Sequence, residues 1–199
     1  MPLIKLNNRS IKDVTSLPFG VGNLIHISSQ TASNSASISF TTGIDSTYKE
    51  YQFYFINIRP ATDATHFRFN LSTDSGSNYN VTKTSTHFNA FHAEADNDTS
   101  LAYETGWDLA QSTSDQVLCW EAGNGADECI GGSMQIFNPA STTYVKHFIA
   151  NVNQYYSANY SINHYVAGYG NTTSAINAIR FQFSSGNIAD GTIAMFGVL

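Results

Sequence analysis

From Leu24 onward, apolar and polar side chains alternate in short runs broken by turn residues. The clearest run is Tyr48–Ile58, YKEYQFYFINI, which Pro60 ends. A period of two is the signature of a strand that buries one face. Thr65–Thr73 repeats it, with Phe67, Phe69 and Leu71 on one face and His66, Arg68 and Asn70 on the other. Asp74-Ser75-Gly76-Ser77 then supplies a turn. The same pattern predicts strands over Leu24–Gln30, Ser35–Phe40, Gln116–Glu121, Ser133–Phe137, Tyr144–Asn151, Ile162–Gly168, Ala178–Ser184 and Gly191–Val198. Asn89–Asn97, NAFHAEADN, has helix formers but is short and lacks a sustained apolar face. It reads as a loop with at most one helical turn.

Regularly spaced strands without intervening helices predict an all-β fold, an antiparallel, jelly-roll-like β-sandwich. No long Gly/Ser linker divides the chain, so residues 24–199 read as one domain. Residues 1–23 hold Lys5, Arg9 and Lys12 and end in Pro18-Phe19-Gly20-Val21-Gly22, which reads as an extended N-terminal arm.

Composition narrows the function. Of 199 residues, 42% are hydrophobic, enough for a core, and only 12% are charged, about half the usual share. The net charge is −6 and the nine Lys and Arg residues are dispersed, so no phosphate-binding cluster exists and a nucleic-acid partner is not expected. No apolar run reaches the length of a membrane span, so no membrane insertion is expected. The opening residues lack the apolar centre of a signal peptide, which predicts synthesis in a cytoplasm. The N-x-S/T triplets at Asn70, Asn80, Asn97, Asn159 and Asn171 then follow from Asn-, Ser- and Thr-rich composition.

No motif points to catalysis, to a cofactor or to a metal. His26, His66, His147 and His164 fall in strand-like runs and read as surface or partly buried packing residues. His87, His92 and Glu94 lack the spacing of a helical zinc motif, and Ala95–Thr99 lacks that of a calcium-binding EF-hand loop. No serine lies in G-x-S-x-G. Cys119 and Cys129 flank a turn-like stretch, AGNGADE, that places them across a hairpin; they read as free, half-buried thiols. Tyr155, Tyr156, Tyr160, Tyr165 and Tyr169 crowd one segment. Subunit contact and receptor or glycan contact both suit such tyrosines.

Two ends of the chain carry a resemblance. PLIKLNNRSIKDVTSLP (Pro2–Pro18) resembles an N-terminal segment of virion proteins of tailed bacteriophages, especially marine ones. Ala175–Val198 resembles the terminal hairpin of a phage tail-fibre and structural β-domain family, and Phe137–Ala150 and His164–Ile176 are similar to the same group. The resemblance implies a non-enzymatic virion protein, often a homotrimer, on the tail as fibre or adhesin or on the head as capsid decoration or head fibre. Its partners would be other capsid or tail proteins. The arm would attach it through Leu3, Ile4 and Leu6, with Asn7, Asn8 and Arg9 beside them. Each apolar side chain fully buried there is worth about 1.5–3 kcal/mol. Two alternatives stand beside this: a module at a fibre tip that binds host-surface glycans, and a polysaccharide hydrolase.

Overall fold

A computed structural model describes residues 24–199. The arm and its Leu3, Ile4, Leu6, Asn7, Asn8 and Arg9 lie outside the described residues. Twelve strands make up the body: β1 (Leu24–Thr31), β2 (Ile38–Phe40), β3 (Glu50–Pro60), β4 (Thr65–Ser72), β5 (Lys83–Ala93), β6 (Thr99–Tyr103), β7 (Gln116–Ala122), β8 (Ile130–Phe137), β9 (Lys146–Tyr156), β10 (Tyr160–Gly170), β11 (Ala178–Phe183) and β12 (Ile188–Val198). All pairings are antiparallel, and no helix occurs among the described residues.

The pairings build two layers. The long sheet runs β1-β12-β3-β8-β9-β10-β5-β6, and the short one runs β2-β11-β4-β7. A single pair, Ala122 with Tyr156, joins them where β7 meets β9, so the sandwich nearly closes. The alternation read in β3, β4 and β11 is the reason for this packing. Phe53 and Phe55 point in from the long sheet, and Phe67, Phe69 and Phe181 meet them from the short one; each is at most 3% exposed. Phe181 lies at the hub, with ring centroids of Phe40, Phe53, Phe55, Phe67 and Phe69 5.3–6.5 Å away. Aromatic pairs at such distances add to the burial term.

The chain changes layer often. β5–β6, β8–β9 and β9–β10 are hairpins, whereas β11 and β12 belong to different sheets. The terminal hairpin expected at Ala175–Val198 is therefore a crossover. Its apolar positions fill one core from opposite sides: Phe181 and Phe183 from the short sheet, Ile193 and Met195 from the long one. β7 and β8 likewise do not pair, so Cys119 and Cys129 do not face each other across a hairpin. Both are free thiols; Cys119 is fully buried beside Phe67 rather than half-buried, and Cys129 is half-buried.

A bulge in β3 shapes the long sheet. The register against β8 shifts between Phe55 and Ile58, and Asn57 takes φ 53°. Gly191 on the facing β12 has φ +108°, and a Cβ there would lie 2.7 Å from Ile58 Cα. Only glycine fits both the conformation and the approach.

The read loop over Asn89–Asn97 is the main departure from expectation. Its first half belongs to the eleven-residue strand β5, which pairs with β10 on one side and β6 on the other. Neither β5 nor β6 follows an apolar-inward alternation. The inward side of β5 carries Lys83, Ser85, His87 and Asn89, all buried, while Phe88 points outward and is 40% exposed.

Candidate functional site

The parity of the β9–β10 hairpin decides where the tyrosines go. A three-residue turn, Ser157–Asn159, joins the strands, with Asn159 at φ 67° and Tyr156 opposite Tyr160. Asn tolerates this left-handed conformation at little cost. Buried Val152, Gln154, Ile162 and His164 define the inner face. Tyr156 and Tyr160 share that inner face, while Tyr155 and Tyr165 project from the outer one. The four tyrosines thus form two separate groups.

The inner group is a run of half-buried rings at one end of the sandwich. Phe91 lies 5.5 Å from Tyr160, Tyr160 5.6 Å from Tyr156, and Tyr156 5.2 Å from Trp120, all edge to face. These rings pack against one another rather than laying a flat platform open to a sugar. The Tyr156 hydroxyl donates a 2.7 Å hydrogen bond to Glu121, and that carboxylate pushes its pKa up to about 12. The Tyr156 hydroxyl therefore keeps its proton to donate across the physiological range.

Deeper on the same face, His87 Nε2 and His164 Nδ1 are 3.0 Å apart and both rings are fully buried. One imidazole donates and the other accepts, so the accepting ring is neutral in this geometry. Burial holds the pKa of His87 down at about 4, opposed by the Trp107 backbone and the Asp108 carboxylate. Burial and the neighbouring His87 hold His164 well below its ordinary value. His164 thus departs from the expected surface or partly buried histidine. Among the described residues no group of three or more His, Cys, Asp and Glu side chains comes together as a metal site. His92 Nε2 instead lies 3.3 Å from Asp96 Oδ1 of the acidic loop, both side chains exposed.

Two lysines also sit inside. Lys83 Nζ donates to Asn70 Oδ1 at 2.6 Å and to the Val81 carbonyl at 2.8 Å. Lys146 Nζ donates to the carbonyls of Tyr144 and Thr172 at 2.6 and 3.1 Å. Burial lowers both pKa values, Lys83 to about 8.

The outer group belongs to the most distinctive surface. Tyr165 stacks on Phe88 with 4.9 Å between centroids and 12° between planes, and Phe88 is opposite Tyr103. Ile149 and Leu101 extend the strip, and the five side chains range from 39% to 72% exposed. Beside it a shallow depression of about 460 Å³ opens over Ala167, walled by His147, Ile149, Tyr169 and Thr86. Tyr155 stands farther along this face, by a smaller depression that includes His92, Asp127 and Cys129. Sequence reading had singled out Tyr165 alone of the strip. Phe88, Leu101 and Tyr103 escaped because β5 and β6 were not recognised as strands.

Strands β5, β6, β8, β9 and β10 together contain two charged residues, Lys83 and Lys146, and both point inward. Their outer face is therefore free of Asp, Glu, Lys and Arg in a protein of net charge −6. No protein-family model, curated protein or solved structure matches this chain.

Proposed function

We propose that this chain is a non-enzymatic structural protein of a tailed-phage virion, an accessory surface component held to capsid or tail proteins by residues 1–23. Assembly in the host cytoplasm and a homotrimeric state belong to the same reading. The observation that carries the structural role is the charge-free, partly apolar outer face of β5, β6, β8, β9 and β10. A contiguous surface of that kind suits packing against another macromolecule more than it suits acid–base chemistry. The virion assignment draws its support from the resemblance at Pro2–Pro18, Phe137–Ala150, His164–Ile176 and Ala175–Val198, the last three falling on parts of β9 and β10 and on β11 and β12.

Deleting residues 2–17 tests the attachment. The truncated protein is expected to keep the β-sheet circular dichroism of the full chain and to be missing from purified particles. Incorporation at the full-length level would refute the anchoring role.

A further inference from the structure

We propose that the outer face of β5, β6, β8, β9 and β10 is where a second copy of this chain docks. The inference does not rest on the virion assignment, because it concerns the purified chain alone.

Three observations converge on a like partner. Half of the ten large apolar side chains left exposed among the described residues lie here: Phe88, Leu101, Tyr103, Ile149 and Tyr165. Such an apolar strip rimmed by Asn, Ser and Thr has the anatomy of an interface centre and rim. Charge is the second observation. A copy of an acidic protein is repelled by carboxylates; the strands place none on this face, and Asp108, Glu94 and Asp127 stand in loops at its margins, whereas a basic partner would be met by carboxylates across it. Tyr103 fits this allocation, since its hydroxyl holds Asp108 at the sheet margin through a 2.7 Å hydrogen bond. Size is the third. β5, β9 and β10 have eleven residues each, β8 eight and β6 five. At about 3.3 Å per residue and about 4.8 Å between strands they cover roughly 730 Å², close to the ~800 Å² per partner of a standard specific interface.

The full-length chain, examined by sedimentation velocity and light scattering across the micromolar range, tests this. The native chain is expected to self-associate, and added salt to leave the association unchanged or stronger. Ile149→Glu and Tyr165→Glu place a carboxylate on the face and are expected to weaken association about 100-fold or more. Their far-UV circular dichroism should match the native chain, because both side chains already contact solvent. Ser46→Lys, in an exposed loop away from this face, is expected to associate like the native chain. A native chain that stays monomeric overturns the proposal. So does an oligomer that neither glutamate variant disturbs. A monomer whose Phe88, Leu101 and Tyr165 resist hydroxyl-radical labelling would place another segment of the same chain on the face, and also overturns it.

Discussion

Mild acid should loosen this fold through the His87–His164 pair. Both imidazoles are fully buried, 3.0 Å apart, and share one hydrogen bond whose acceptor ring must be neutral, while burial disfavours charge on either ring. The folded-state pKa of His87 is about 4, against about 6.5 in an unfolded chain. Between those values the unfolded state binds more protons than the folded state, so stability falls as pH falls. Worked through for His87, the loss between pH 7 and pH 5 is about 2 kcal/mol. His164 is displaced in the same direction and adds to this loss. Even the His87 share is a sizeable part of the ~5–15 kcal/mol that a typical domain possesses. Urea unfolding at pH 7 and pH 5 measures it. His87→Gln/His164→Gln removes both titrations while keeping a donor and an acceptor across the gap. The native protein should lose at least about 2 kcal/mol more than the double variant over this interval. Equal losses in the two proteins would refute the reasoning.

Three further outcomes follow from the packing. Phe181→Ala removes the ring on which five phenylalanines converge and should cost about 3–5 kcal/mol in chemical unfolding. Gly191→Ala forces a Cβ into a φ of +108° and against the Asn57–Ile58 backbone, and should cost about 2–3 kcal/mol in the same assay. Alkylation of the native protein should label Cys129 and spare Cys119, whose thiol is fully buried and whose pKa burial pushes up; peptide mapping by mass spectrometry reads the site.

The legibility of the fold depended on which face of each strand was apolar. β3, β4 and β11 were readable because Phe53, Phe55, Phe67, Phe69, Phe181 and Phe183 all point into one core at a period of two. β5 was not, because its buried side carries Lys83, Ser85, His87 and Asn89 and its outward side carries Phe88. The Lys83 ammonium and the Asn89 amide N–H find tertiary partners in Asn70 and Glu104, which no local pattern reveals. Periodicity also separates inward from outward without stating which sheet a strand joins. That is why β11–β12 and β7–β8 read as hairpins and are crossovers. The division of Tyr156 and Tyr160 from Tyr155 and Tyr165 was in principle visible as parity, but it needed the three-residue turn at Asn159 to fix the register. The charge-free face needed the neighbour order β8-β9-β10-β5-β6, since its members are scattered from Thr84 to Tyr169 in sequence.

The central claim, a structural part of a phage particle, is tested most directly by cryo-electron microscopy of purified particles at side-chain resolution. The account predicts density for this β-sandwich on the particle surface, residues 1–23 lying along capsid or tail proteins, and Phe88, Ile149 and Tyr165 covered by another copy. Native particles that carry none of this protein, or a body attached with residues 1–23 touching no other virion protein, would contradict it.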